Sequence, residues 1–141
     1  MAPGAPELQE ALFTACIEGH VDIVGLLLDK GAEVDRAEKK GATPLFVACC
    51  IGHVDAALLM LDKGADVNRA KGDGETPLHV ACSNGHVDVV RLLLERGGEN
   101  RADERGTTPL DKAKRRRHDA VVELLEDHLY PLLAASKAGD V

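Results

Sequence analysis

Four histidines recur at one position of an internal pattern in this chain of 141 residues. They are His20, His53, His86 and His118, and the first three each follow a glycine. A row of imidazoles could hold metal ions, because neutral histidine is a common metal ligand. Stacked helices lie about 8–10 Å apart, whereas zinc needs its nitrogen ligands at about 2 Å. We therefore predict that these rings hydrogen-bond to neighbouring backbone and that the chain holds no metal.

The four cysteines are the other residues whose side chains could react or bind a metal. Cys16, Cys49 and Cys82 share one position of the pattern, each after an alanine, which favours small buried side chains. A disulfide needs Cα atoms within about 7 Å, so cysteines of stacked units should stay unpaired. Cys50 lies at a predicted surface position and is the candidate for an accessible thiol. Pairing it with His53 supplies no orienting group or oxyanion hole, so we predict no catalytic residue.

Composition excludes several classes of partner. The formal net charge of −7 argues against nucleic-acid binding. No apolar run approaches the length of a membrane span, and residues 1–10 lack a signal-peptide core, so we expect no membrane partner. No glycine-rich loop matches a phosphate-binding pattern, which predicts no cofactor. Cysteines without a secretory signal indicate reduced thiols, and we expect the cytoplasm or the nucleus.

The chain repeats itself with a period near 33 residues. The Gly-His pairs at residues 19–20, 52–53 and 85–86 are separated by steps of 33. The Thr-Pro-Leu triplets at residues 43–45 and 76–78 keep the same step, and a third follows after 32, at residues 108–110. A fixed period of this length is typical of a solenoid, in which each unit packs on its neighbours.

Each unit has the signals of two helices followed by a loop. Threonine is a favoured helix N-cap and the following proline suits the first turn, as in Thr76-Pro77. Gly52 and Gly85 end the first helix, because a left-handed conformation costs glycine little. The second helix has Val and Leu at helical spacing, and a stretch rich in Gly, Asp and Asn then predicts a turn. One unit cannot bury its own apolar faces, so the units must stack.

The third unit shows which family the chain resembles. TPLHVACSNGHVDVVRLLLERGG, residues 76–98, resembles an ankyrin repeat, and GADVN at residues 64–68 completes the pattern. The resemblance implies an all-α fold, an ankyrin-repeat solenoid of stacked helix-turn-helix units with projecting hairpin loops, over about residues 10–129. It also implies a non-enzymatic scaffold that binds another protein, with His79 a structural residue. We expect a monomer.

The ends of the array depart from the pattern. Glu10-Ala11 replaces Thr-Pro in the first repeat, whereas Asp119 and Glu126 put charge where earlier repeats have Val and Leu. We interpret these repeats as terminal caps. Residues 132–141 superimpose on residues 12–21, which indicates either the start of a further repeat or chance. The predicted units are an N-terminal extension (1–9), repeat 1 (10–42), repeat 2 (43–75), repeat 3 (76–107), repeat 4 (108–129) and a tail (130–141).

The resemblance implies that a partner binds the loop tips and the exposed face of each first helix. These positions differ between repeats while their neighbours do not, so packing does not dictate them. The predicted partner-binding residues are Ile17, Glu18, Arg36, Glu38, Lys39, Lys40, Cys50, Ile51, Arg69, Lys71, Asp73, Glu75, Ser83, Asn84, Asp103, Glu104, Arg105, Arg115 and Arg116. Ile17, Cys50 and Ile51 form an apolar patch, and Arg115 and Arg116 carry positive charge at the other end.

Several alternatives stay open. The arginines at positions 36, 69 and 101 either bind partner carboxylates or pair with loop acids such as Glu38 and Asp103. The basic run at residues 112–118 is a nuclear-import signal, a patch for an acidic partner or a solvated face, and we favour the solvated face. The module could act as a stoichiometric inhibitor of an enzyme such as a kinase. It could also be the recognition arm of a longer chain, with a catalytic or membrane part beyond Val141.

Overall fold

The computed structural model describes residues 6–132, which contain eight helices and no strand. The helices are α1 (Pro6–Glu18), α2 (Val21–Asp29), α3 (Pro44–Ile51), α4 (Val54–Asp62), α5 (Pro77–Asn84), α6 (Val87–Glu95), α7 (Pro109–Arg115) and α8 (Asp119–Leu129). They form four pairs separated by projecting loops. The predicted all-helical solenoid is confirmed.

The repeated Thr-Pro and Gly residues set the limits of the first helix in each pair. The Thr43 hydroxyl accepts a hydrogen bond from the Phe46 N–H at 3.2 Å, and Pro44 begins α3. Gly52 ends α3 in the left-handed region, with φ of 97°. Thr76 and Gly85 do the same for α5. These helices therefore begin and end where the sequence predicts them to.

The helices form two rows that enclose a thin core. The first helices pack in the order α1, α3, α5, α7, and the second helices in the order α2, α4, α6, α8. Small side chains lie where the rows meet, and Ala48, Ala81 and Ala113 have no exposed surface. Larger side chains would hold the rows further apart, which explains why the chain has so few aromatic residues.

The first helix is longer than predicted. It begins at Pro6, inside the segment that we interpreted as an N-terminal extension, and not at Glu10. Gln9 is buried, and its side chain donates to the Glu33 carbonyl at 3.1 Å and accepts from the Glu33 N–H. These two hydrogen bonds tie the early turns of α1 to the loop after α2, so residues before Glu10 belong to the first helix pair.

The outer helix of the first pair exposes apolar side chains. Ile23 is 46% exposed and Leu26 is 54% exposed. The equivalent Val89 and Leu92 in α6, which has a helix pair on either side, are 0% and 9% exposed. These exposed residues lie on the row of second helices, which we call the outer row. That row is away from the face that carries the predicted site.

The last pair has a polar character. Arg117 takes the place of the glycine between the two helices and keeps the left-handed conformation, with φ of 59°. Glu126 lies 3.8 Å from the Lys114 ammonium. Both features fit the interpretation of this pair as a cap. The tail match at residues 132–141 falls almost entirely outside the described residues.

The projecting loops are hairpins that stack on one another. Each closes with a backbone hydrogen bond of 2.9 Å between residues four apart, namely Glu38 to Ala42, Lys71 to Glu75 and Asp103 to Thr107. The Gly72 N–H donates to the Lys40 carbonyl and the Glu104 N–H to the Asp73 carbonyl, both at 3.1 Å. The hairpin tips therefore lie side by side along the edge of the first-helix row.

Candidate functional site

The recurring histidines link each repeat to the one before it. Nε2 of His53, His86 and His118 donates to the carbonyl of Ile17, Cys50 and Ser83 respectively, each at 2.9 Å. Each carbonyl lies near the end of the preceding first helix, where backbone acceptors lack intrahelical partners. The prediction that these rings bond to neighbouring backbone is confirmed for these three histidines. It is wrong for His20, whose ring lies 4.0 Å from the Glu18 carboxylate and has no backbone partner within residues 6–132.

His79 holds a different place, at the start of α5. Its Nδ1 accepts from the Thr76 N–H at 3.0 Å, so Nε2 carries the proton and donates to the Thr107 carbonyl at 2.8 Å. The side chain has no exposed surface. Its structural role is therefore confirmed, and it joins the start of α5 to the end of the next hairpin.

Three of the four cysteines are buried, and all four are free. Burial raises the pKa of Cys16 and of Cys82 to about 12. Burial also raises the pKa of Cys49, with the neighbouring thiols adding to the shift. Cys50 is half-buried and lines a surface cavity. The prediction that Cys16, Cys49 and Cys82 are buried packing residues is confirmed, and the accessibility of the Cys50 thiol stays a prediction.

None of the predicted partner-binding residues is buried. Those that are half-buried are Cys50, Lys71, Glu75, Ser83 and Asp103, and the others are exposed. Their side chains lie on the first-helix row and on the hairpins, but they do not form one continuous surface of uniform character. Apolar groups cluster at the N-terminal end, acids gather at the second and third hairpins, and arginines lie at the last pair.

An apolar cavity of about 430 Å³ lies between α1, α3 and the first two hairpins. Its apolar lining includes Phe13, Ile17, Phe46, Val47, Cys50 and Ile51. Glu38, Lys40 and Lys71 also line it. A second cavity of about 370 Å³ shares Phe13 and Glu38 with the first and continues along α1 past Gln9. We call the two cavities together the N-terminal groove.

Sequence reasoning found Ile17, Cys50 and Ile51 but missed both phenylalanines of the groove. Phe13 and Phe46 occupy the repeat position at which the third repeat has His79. From the sequence alone we assign a structural role to His79 at this position and no role to the phenylalanines that replace the histidine in the first two repeats. Two rings at one helical position of neighbouring repeats predict an apolar stretch along the row, which is the signal that could have found them.

Acidic side chains of the hairpins form hydrogen bonds with the backbone of their own turns. Glu38 Oε1 accepts from the Lys40 and Ala42 N–H groups at 2.8 and 2.9 Å. Asp103 Oδ1 accepts from the Arg105 and Thr107 N–H groups at 2.9 and 3.0 Å. The hydrogen bond from Thr107 is the main cause that lowers the pKa of Asp103. Side chains that bond to their own turn in this way fix its shape.

Two of the loop arginines pair with acids of their own loops, as one of the two alternatives predicts. Arg36 lies 3.5 Å from Glu33, and Arg101 bonds to Glu99. Both partners precede the arginine by two or three residues, so the pairs are local. Arg69 is exposed and makes no ion pair within residues 6–132. Exposed pairs of this kind stabilise by only about 0–1 kcal/mol.

The basic run divides into paired and exposed members. Lys112 reaches back to Glu75 at 2.8 Å, and Lys114 faces Glu126. Glu75 also lies 3.6 Å from Lys71, so one carboxylate connects the second hairpin to α7. Arg115 and Arg116 are exposed, and Arg115 also donates to the Thr107 hydroxyl at 3.3 Å.

Residues 6–132 contain neither a metal-binding cluster nor a membrane-spanning helix. No group of three or more His, Cys, Asp or Glu side chains is placed to hold a metal ion. No helix in this part of the chain has the length and apolar character to cross a membrane.

Comparison with protein families explains the repeated architecture. A model of three ankyrin repeats matches residues 3–71, and a model of many ankyrin repeats matches residues 60–113. Among curated proteins, none matches the chain. The matched residues cover the first three helix pairs and end within α7. The chain therefore belongs to the ankyrin repeat family.

Proposed function

We propose that this chain is a non-enzymatic interaction module that binds a segment of a partner protein across its first-helix row and hairpin tips. Ankyrin repeats are general protein-interaction modules, and the fold alone does not select a partner. The observation that supports a binding role for this surface is the N-terminal groove. Ile17 and Ile51 are 50% and 41% exposed beside it, whereas most large apolar residues of the described chain are buried or half-buried. Grouped exposed apolar side chains are a feature of contact surfaces.

The two ends of the first-helix row also differ in charge. The groove lies at the first two repeats, and Arg115 and Arg116 lie on the same row at the fourth. Ser83 and Asn84 occupy the equivalent positions between them, and Asn84 donates to the Cys50 carbonyl at 2.8 Å. A long partner segment would place an apolar anchor at the groove and acidic residues near the arginines. Complementary charge fixes the orientation of such a segment more than it increases affinity.

Affinity capture from a lysate of the source organism, read by mass spectrometry, tests the proposal. Wild type runs beside a variant with Ile17→Lys, Ile51→Lys, Arg115→Glu and Arg116→Glu. A control variant carries Ile23→Lys and Leu26→Lys, which change equally exposed apolar residues on the outer row. We expect a protein that wild type and the control retain and that the first variant loses. Equal retention by all three would place the binding surface elsewhere.

A further inference from the structure

We propose that the N-terminal groove binds a partner segment with two large apolar side chains facing α1 and α3 and carboxylates facing the hairpins. This inference rests on the proposed function and specifies the chemistry of the ligand at one site. It differs from the general proposal because it places acidic ligand residues beside the groove itself, two repeats away from Arg115 and Arg116.

The floor of the groove is specific to the first two repeats. At the same repeat position the third repeat has His79, which is fully buried and hydrogen-bonded on both ring nitrogens. The fourth repeat has Asp111, whose carboxylate accepts from the Thr108 N–H. Phe13 and Phe46 have no such polar partner, so their rings give the groove an apolar floor. The described part of the chain contains no other position where two aromatic rings line one cavity.

The dimensions of the groove fit a segment and not a single side chain. Its two cavities measure about 430 and 370 Å³ and share Phe13 and Glu38. Each falls within the range of about 300–1,000 Å³ that is usual for ligand pockets. The first reaches Ile51 on α3, and the second reaches Pro6 at the start of α1. A ligand that filled both would need at least two large apolar groups along its length.

Basic side chains border the hairpin side of the groove. Lys40 and Lys71 line the first cavity, and Arg36 and Lys39 line the second. Glu38 lies among them, and one of its carboxylate oxygens already accepts from two backbone N–H groups of its own hairpin. Glu10 of α1 is a second acid that lines the groove. Lys39 and Lys40 are exposed and make no ion pair within residues 6–132. Lys39 and Lys40 are therefore the cations that complement a ligand with carboxylates on this side, because Arg36 already lies beside Glu33 and Lys71 beside Asp73 and Glu75.

Lys71 connects the basic border to the apolar floor. Its ammonium lies 5.2 Å from the centroid of the Phe46 ring, within the range of a cation–π contact. The same ammonium lies 3.5 Å from Asp73 and 3.6 Å from Glu75. Those acids keep Lys71 at the end of the groove nearest the second hairpin. A ligand carboxylate that reached this end would meet a cation already held in place.

Selection of random short peptides displayed on phage, with the full chain as the immobilised target, tests the inference. Enriched peptides are then synthesised, and their affinities are measured by fluorescence anisotropy. The test variants are Ile51→Lys and the double variant Lys39→Glu, Lys40→Glu. The matched controls are Leu58→Lys, on an exposed apolar residue of α4, and Lys30→Glu, on an exposed lysine after α2. Circular dichroism melts of each variant verify that it folds.

We expect the enriched peptides to combine two or more large apolar residues with an excess of Asp and Glu. Each test variant should weaken their binding by about tenfold or more, and each control by less than about twofold. A neutral double variant, Lys39→Met and Lys40→Met, should give an intermediate loss. Higher salt should weaken binding to wild type more than binding to this neutral variant.

Five results would overturn the inference. Selection could enrich no peptide, or it could enrich basic or uncharged ones. The loss could follow Arg115→Glu and Arg116→Glu and not the groove variants, in which case the proposed function would stand without the groove ligand. Wild type could form a dimer that Ile51→Lys abolishes, which would assign the groove to a second copy of the chain. Losses only with the outer-row controls would contradict both the inference and the proposed function.

Discussion

The imidazole of His53 packs against Gly19 of the preceding repeat so closely that a Cβ on Gly19 would lie 2.6 Å from Nδ1. The same relationship joins Gly52 to His86 and Gly85 to His118. The glycine thus serves two purposes, because it adopts a positive φ and leaves room for the ring. This double requirement explains why Gly and His recur together at a fixed period.

Substituting Gly52 by alanine separates those two purposes. Gly52 has φ of 97°, and a Cβ there would meet the His86 ring at 2.8 Å. Gly64 has φ of 95°, and a Cβ there would meet nothing within 4 Å. We expect Gly64→Ala to lower the free energy of unfolding by about 1 kcal/mol through backbone strain. Gly52→Ala should cost at least about 1 kcal/mol more, because the His86 bond to Cys50 is also disturbed. Urea denaturation measures both, and equal losses would contradict the packing role of the ring.

Substituting Arg117 by glycine tests the same backbone strain in the opposite direction. Arg117 holds a left-handed conformation with no later histidine against it, and the strain costs about 1–2 kcal/mol for a residue with a side chain. Glycine would remove that strain but would lose more entropy on folding. We therefore expect Arg117→Gly to raise the free energy of unfolding by about 0.5–1 kcal/mol. Arg116 has φ of −89°, so Arg116→Gly is the control and should destabilise. A loss of stability from Arg117→Gly would show that contacts of the Arg117 side chain stabilise the fold by more than the backbone strain costs.

Much of the fold could be predicted because the repeat pattern depends on local rules. Thr43 and Gly52 mark the limits of a helix through capping and left-handed geometry, which depend on nearby residues alone. The early start of α1 could not be predicted, because it depends on Gln9 reaching Glu33 across the first pair. Contacts of that kind depend on the distance between elements, which the pattern does not contain.

The candidate site was predicted in part for the same reason. Ile51 and Cys50 follow from the variation between repeats at exposed positions. The pairing of Lys112 with Glu75 joins residues on different repeats, and only the stacking of the hairpins brings them to 2.8 Å. The bond from Thr107 to Asp103 is local, and turn chemistry could have indicated that this acid is already engaged.

Acid should weaken the third hairpin and the start of α7. Hydrogen bonds from the Thr107 and Thr108 N–H groups lower the pKa of Asp103 and Asp111 respectively below 3.8. A depressed pKa in the folded state stabilises above the unfolded value, and that contribution is lost as pH falls through the folded pKa. We expect unfolding free energy, measured in urea between about pH 5 and 2, to fall less steeply for Asp103→Asn with Asp111→Asn. An unchanged slope would contradict the role of these carboxylates.

Cysteine labelling should distinguish the four thiols in the native protein. The thiolate is the reactive form, and burial both hides Cys16 and Cys82 and raises their pKa to about 12. We expect iodoacetamide at neutral pH to modify Cys50 first, as peptide mapping by mass spectrometry would show. The Cys50→Ser variant should lose this rapid phase. Labelling of Cys82 as fast as Cys50 would contradict the packing described for α5.

Site-specific photo-crosslinking tests the binding role of the first-helix row most directly. A photoreactive benzophenone amino acid replaces Ile51 beside the groove in one protein and Leu58 on α4 in another, and both are irradiated in lysate with wild type as competitor. We predict a covalent partner adduct from position 51 that wild type suppresses, and none from position 58. An adduct from position 58 alone, or equal adducts from both, would contradict the assignment of partner binding to the first-helix row.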